Sequence, residues 1–432
     1  TCMVLRMQAE EILSEHIRLV HRLTQVLTMS TRWFTPSKEF LRRLRVDEAL
    51  GVKSFDRRRD QFEDEVYRRK LYHMHYRLKK NLAVVRNQMR DQPTPDSDHA
   101  YSNVQEYLDD LHSIRNSLIS HGEYSAANGE LKDVIRIAET FGFHMVALDL
   151  RQESTRHSNA VTEILKLAGL ADYASLSEDD RLAFLSDQIA GNQLPEFDRK
   201  KLAEDNRITL ELFDNVRTMR QQISQRCIGS YVISMTHTAS HIMEVMYLAF
   251  LAGLVGRQGK KYFCTLEVSP LFETIDDLDH IDQVLDALLR NEVYRKLLVQ
   301  TGGTQEVMLG YSDSCKDGGI MSASWGLYQA QLKVTQITAR HKVKCRMFHG
   351  RGGTITRGGG PTHEAILAQP PNTLHGQIKF TEQGEVLSHK YSNAETANYE
   401  LAMGITGLMK ASIGTLRGDG ANYEAYHPVM QQ

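Results

Sequence analysis

The sequence has no long apolar run, no paired-cysteine motif and almost no net charge, and each absence removes a class of function. No stretch approaches the roughly 18 consecutive apolar residues that would span a bilayer. The first twenty residues, punctuated by Arg6, Glu10, Glu11, Glu15 and Arg18, do not read as a signal peptide. The five cysteines (Cys2, Cys227, Cys264, Cys315 and Cys345) form no CxxC pair. They read as the reduced thiols of a cytoplasmic protein, with Cys315 and Cys345 as inert small residues. The 52 basic and 54 acidic residues leave a net charge of −2, without the basic excess that a nucleic-acid or membrane-surface binder needs. There is no convincing internal repeat. The chain opens on Thr1 rather than methionine, so processing or a longer polypeptide is expected. What is present is an ordinary globular balance, 41% apolar and 25% charged over 432 residues, enough for one large domain or two to three smaller ones.

Up to about residue 140 the apolar spacing is helical. Leu13, Ile17, Val20, Leu23 and Leu27 recur every three or four positions, and Tyr67, Leu71, Met74, Leu78, Leu82 and Val85 stripe a long charged helix over 56–90. A loop follows over 92–97, then helices over 101–120 and 131–140. From residue 141 strand-like runs (143–150, 230–236, 261–268, 305–311, 343–348 and 376–380) alternate with helices (159–168, 240–252, 281–299, 322–340 and 363–368). This rhythm predicts a parallel sheet with crossover helices. The expectation is an α/β, predominantly helical chain: a helical region over 1–140 packing on a partial barrel over 141–432. The barrel is expected to be of the (β/α)8 TIM type and incomplete, with about six strands present. A doubly wound open sheet is the alternative.

Each predicted strand runs directly into polar or glycine-rich sequence, and in α/β folds sites gather at the carboxyl ends of parallel strands. Between Phe348 and Pro361 six glycines enclose His349, Arg351 and Arg357. Such a tract lets backbone N–H groups approach an anion while the arginines add donors; the plainer reading is a solvated surface loop. Its spacing is neither a Walker A loop nor a clean dinucleotide fingerprint. In Ser312-Asp313-Ser314-Cys315-Lys316-Asp317, Asp313 could hold a hard divalent cation and Lys316 could counter a phosphate, or the segment could simply cap a helix. Glu273 alone would pass for a solvated carboxylate. Paired with Asp313 on a neighbouring strand end, it meets the needs of Mg²⁺, which takes one or two carboxylates and fills its octahedron with water and substrate oxygens. Arg151 could point into the mouth of the sheet, while Arg156 pairs with Glu153. His237 and His241 stand four apart with no third ligand, and read as structural.

Taken together these segments resemble the phosphoenolpyruvate carboxylase family. The run from Leu148 to His157 looks like that family's LDxRQESTRH block, and the run from Pro270 to Leu278 like its PLFExxxDL block. Val307 to Asp317 resembles VMxGYSDSxKD, Phe348 to Pro361 the FHGRGG…GRGG…P signature, and Thr381 to Glu385 matches TEQGE. The resemblance implies a (β/α)8 barrel enzyme, usually a cytoplasmic homotetramer. The implied reaction makes oxaloacetate and phosphate from phosphoenolpyruvate and bicarbonate, with Mg²⁺ or Mn²⁺ and with no nucleic-acid or membrane partner. It implies that Glu273 and Asp313 are metal ligands, that Arg151 and Arg351 bind the substrate phosphate with Gly352 and Gly353, and that Lys316 lies in the metal loop. His349 and Arg357 would belong to a glycine-rich lid that keeps water from reactive intermediates. Thr356 stands where the family has glycine, and His241 where it has aspartate. The family's TAHPT histidine motif has no counterpart. The chain is therefore expected to be the middle half of a carboxylase with little or no turnover alone. A non-catalytic, phosphate- and metal-binding truncated relative is the alternative, and a helical scaffold using residues 1–140 a third.

Overall fold

The computed structural model describes residues 1–49, 62–93, 97–350, 360–382, 384–417 and 427–430. Five residues singled out above, Arg351, Gly352, Gly353, Thr356 and Arg357, lie outside the described residues. The chain forms two compact units. One comprises Thr1–Leu148 with Asn215–Ile228, the other Asp149–Asp214 with Gly229–Gln432.

The first unit is helical. Cys2–Val26 packs against Val66–Met89, and the stripes expected on both meet in one core: Leu13, Val20 and Leu23 from the first, Tyr67, Leu71, Met74, Leu78 and Val85 from the second. Each such side chain contributes about 1.5–3 kcal/mol when fully withdrawn from water. Val104–Ser120 adds Tyr107, Leu111 and Ile114, and starts where the Asn103 side chain accepts the Glu106 N–H (3.1 Å). Charge is also buried in this unit. Lys70 Nζ lies 2.6 Å from Asp47 Oδ2 and 2.7 Å from Asp110 Oδ1. Arg77 stands 3.5 Å from Asp110 and stacks on the Tyr101 ring at 3.8 Å, and the Tyr101 hydroxyl donates to Asp110 (3.0 Å).

The second unit holds all but the first residue of β1 (Leu148–Glu153) and of β2 (Ile228–Ser234), together with β3 (Val255–Gln258), β4 (Lys261–Cys264), β5 (Glu267–Phe272), β6 (Thr304–Gly310), β7 (Lys344–Gly350) and β8 (Lys379–Phe380). Six of them form one parallel sheet in the order β1-β2-β5-β6-β7-β8. Leu271 pairs with Met308 and Met308 with Phe348, and with Val232 these side chains make one buried interior layer. Below it, Lys379 on one edge strand reaches Asp149 on the other at 2.7 Å, and Glu306 between them at 3.3 Å. In a flat sheet, five intervals of ~4.8 Å would hold those edges about 24 Å apart. The sheet is therefore curled, the incomplete α/β barrel that the strand–helix rhythm predicts.

Three elements differ from expectation. The run 261–268 is not one barrel strand: Lys261–Cys264 folds back on Val255–Gln258 through Gly259, whose φ of 61° suits a tight hairpin, and the barrel strand starts at Glu267. The helix expected over 281–299 is two, Ile275–Arg290 and Glu292–Gln300, because Asn291 caps the second by accepting the Tyr294 N–H (3.0 Å). The helix expected from 322 already begins at Tyr311 and breaks at Gly319, where φ is 77°. Asp313 and Lys316 thus ride on a short helical segment and not on a loop.

Candidate functional site

The carboxyl ends of β1, β2, β5 and β6 bring together groups that lie far apart in sequence. Glu273 follows β5 directly and is buried at 4% exposure. One carboxylate oxygen, Oε1, takes the Arg151 guanidinium at 2.6 Å; the other, Oε2, accepts the Met235 backbone N–H at 2.9 Å. Burial pushes the Glu273 carboxyl above its ordinary range. The Met235 N–H and Arg151 oppose that shift, and the charges of Asp313 and Asp277 reinforce it. Glu273 and Asp313 therefore share one electrostatic neighbourhood.

Local sequence explains how β6 can deliver Asp313 there. A Cβ on Gly310 would stand 3.1 Å from Glu273 Cγ, so glycine lets the end of β6 pass against that side chain. The first turn after it is pinned by the Ser314 hydroxyl, which donates to Gly310 O (2.6 Å). Asp317 accepts the Ile275 N–H (2.9 Å), tying this segment to the helix that follows Glu273. Asp313 is partly exposed and pairs with the exposed Lys316 at 3.1 Å. His349 ends β7 almost fully buried, and its Nδ1 shares a 2.8 Å hydrogen bond with the Tyr311 hydroxyl. The structure thus brings Arg151, Glu273, Asp313 and Lys316 to the strand ends, with His349 held beside Tyr311. The family block's His157 instead sits in the core, bonded to the Tyr231 hydroxyl at 2.7 Å, where burial lowers its pKa to about 3.

Arg151 lies within β1, because that strand runs three residues beyond the predicted end. Two contributors escape sequence reading. Asp277 accepts the His237 Nδ1–H at 2.6 Å and the Glu273 and Thr274 backbone N–H groups, closing a capping box at the start of Ile275–Arg290. Forty residues separate His237 from Asp277, and only the fold joins them. Met235 adopts φ 54°, and nothing in the local sequence announces a left-handed methionine. The His241 Nδ1 accepts the His237 backbone N–H (3.4 Å) and the His237 Nδ1 is held by Asp277, contacts that suit a structural pair. Cys345 is partly buried, and desolvation pushes its thiol up to about 12, which fits an inert residue.

Among the described residues no group of three or more His, Cys, Asp or Glu side chains could hold a metal ion. The donor chemistry nonetheless fits a hard divalent cation: two carboxylates, one buried and one open to water, whose partners among the described residues, Arg151 and Lys316, are both exposed.

Comparison with known proteins shows the family. The family model described as phosphoenolpyruvate carboxylase matches residues 1–432. A phosphoenolpyruvate carboxylase of Roseiflexus castenholzii is 38% identical over 416 residues, covering 96% of this chain and 44% of the relative. Those of Parasynechococcus marenigrum and Ralstonia nicotianae are 37% and 35% identical, with 94% and 98% of this chain covered. The chain spans less than half the length of these relatives, 42–44%.

Proposed function

The chain belongs to the phosphoenolpyruvate carboxylase family, and from that premise we propose that its strand ends serve the carboxylation of phosphoenolpyruvate by bicarbonate. A bicarbonate oxygen attacks phosphorus, the bond from phosphorus to the enol oxygen breaks, and carboxyphosphate and the pyruvate enolate result. Carboxyphosphate then releases CO2 and phosphate, and the enolate carbon attacks CO2 to give oxaloacetate. Glu273 and Asp313 would hold Mg²⁺ or Mn²⁺. Bound there, the ion supplies Lewis-acid stabilisation of phosphate and enolate oxygens.

The protein's own groups do the rest. Arg151, half exposed beside Glu273, can turn its free donors to the transferring phosphoryl group. Lys316 adds a flexible positive charge at the rim. His349 anchors the start of the glycine tract, whose Arg351, Gly352, Gly353 and Arg357 complete the phosphate-binding set as a lid. The same reading takes the helical region 1–140 as support for the barrel at 141–432, and the enzyme as a cytoplasmic homotetramer.

The observation that carries the proposal is Glu273, a buried carboxylate with one oxygen on a backbone N–H, the other on an exposed arginine, and a second carboxylate nearby. A second reading, phosphate and metal binding without turnover, is favoured by the half-barrel form of the sheet, six strands among the described residues against the eight of a closed barrel. Incubation with phosphoenolpyruvate, Mg²⁺ and labelled bicarbonate tests both. The 432 residues alone are expected to bind phosphoenolpyruvate but to fix little label. Rapid label fixation would overturn the binding-only reading, and failure to bind phosphoenolpyruvate would overturn both.

A further inference from the structure

Both oxygens of Glu273 are held by elements that converge on one buried hydroxyl. Ser154 starts the helix Ser154–Leu167, three residues after Arg151, and is fully buried. Its Oγ donates to Met235 O at 2.6 Å. Met235 N in turn donates to Glu273 Oε2 at 2.9 Å. The residue between these two hydrogen bonds has φ 54°, a conformation an L side chain avoids and a methionine has no local means to hold. The next residue, Thr236, is also buried and donates its backbone N–H to Leu271 O (3.3 Å), fixing the far side of the turn to β5. The left-handed turn is thus over-determined by its surroundings, as functional backbone strain requires.

We propose that Ser154 and Met235 form a backbone clamp that fixes the Glu273 carboxylate, making Ser154 a positioning residue for the metal ligand. The clamp occupies Oε2 with a backbone donor and leaves Oε1 as the oxygen exchanged between Arg151 and a cation. Because Ser154 follows Arg151 on the same stretch of chain, the arginine and the clamp are set by one element. This rests on the proposed role of Glu273 in metal binding. Groups that orient a ligand in this way typically change metal affinity about 10–100-fold.

The test uses Mn²⁺ alone, with affinity read by electron paramagnetic resonance and exchange of the Met235 amide read alongside. Ser154→Ala is expected to weaken Mn²⁺ binding about tenfold and to speed exchange of that amide, with the circular dichroism spectrum unchanged. Adding Met235→Asn, a residue tolerant of the left-handed region, is expected to restore most of the affinity. If Ser154→Ala does not fold, Ser154→Cys, similar in size but a weak donor, carries the same test. Unchanged affinity in the Ser154 variant while Glu273→Gln loses binding overturns the clamp but leaves the metal reading intact. Full affinity in Glu273→Gln overturns the metal reading and the clamp's role with it. Weakened binding that Met235→Asn fails to restore shows that Ser154 acts through packing, which also overturns the clamp. If the unaltered chain binds no Mn²⁺, the metal reading fails, and unchanged amide exchange in Ser154→Ala overturns the clamp itself.

Discussion

Two clusters of charge in this molecule follow opposite rules. In the helical unit Lys70 is buried with Asp47 and Asp110, each carboxylate within 2.7 Å of its ammonium, and Arg77 stands 3.5 Å from Asp110. At the strand ends Glu273 is buried, but its cation Arg151 is half exposed, and Asp313 and Lys316 are both open to water. The first cluster is closed and saturated, so it can only specify how helices meet. The second is unsaturated on its open side, so it can exchange partners. Burial shows the cost in each case. It pushes the Asp47 carboxyl up even with Lys70 beside it, and it pushes Glu273 up despite Arg151. Desolvation exceeds the Coulomb gain in both.

The sharpest way to break this comparison is to remove one partner from each cluster. Lys70→Met removes the ammonium that two buried carboxylates share, leaving Arg77 at longer range, and is expected to cost about 3–5 kcal/mol at pH 8 in urea unfolding of the helical unit. The loss should shrink at pH 5, because burial already raises the Asp47 carboxyl and removing Lys70 takes away a charge that opposes that rise. A comparable loss at both pH values would contradict the charge-based account.

Next in size is a buried carboxyl that belongs to neither cluster. Glu244 is fully buried, accepts the Ser158 and Tyr173 hydroxyls at 2.6 and 2.9 Å, and is faced by Arg181 and Glu178. Burial raises its pKa from 4.5 to about 7. The folded chain thus holds this proton more tightly than the unfolded one. Its contribution is greatest below pH 4.5 and falls as pH rises towards 7, by on the order of 3 kcal/mol. Glu244→Gln should flatten that slope in unfolding measured from pH 5 to pH 8; an unchanged slope would assign it elsewhere.

Glu273→Gln should leave stability within about 1 kcal/mol, because a neutral group suits the burial that disfavours the carboxylate. Thermal melts of this variant set beside those of Lys70→Met measure the contrast directly. Smallest of all, Lys316→Ala removes an exposed pair three residues apart and should change stability by less than ~0.5 kcal/mol. A larger shift in its melting curve would mean that the rim is not solvated.

How much of this was legible in the sequence depended on how local each cause is. The stripes of Cys2–Val26 and Val66–Met89 could be read because burial on one helix face imposes its own period. Glu273 and Asp313 could be placed near strand ends because each follows its strand closely within a long motif block. The hairpin Val255–Cys264 was hidden because Pro270 argues against a strand where β5 runs, so the strand was placed too early. The helices Glu178–Gly191 and Ala394–Arg417 went unread. The second leaves Leu401, Ile405, Met409 and Ile413 exposed, so its apolar residues mark no buried face within this chain. Asp277 holding His237, and Ser154 holding Met235, are pairings across 40 and 81 residues that only tertiary structure creates.

The central claim is that the strand ends are an open, metal-assisted phosphate site organised by Glu273. Calorimetric titration of phosphoenolpyruvate into the unaltered chain and into Glu273→Gln, with and without Mn²⁺, tests it most directly. Binding that Mn²⁺ strengthens in the unaltered chain and not in the variant is the predicted result. Equal enhancement in both, or none in either, would contradict it.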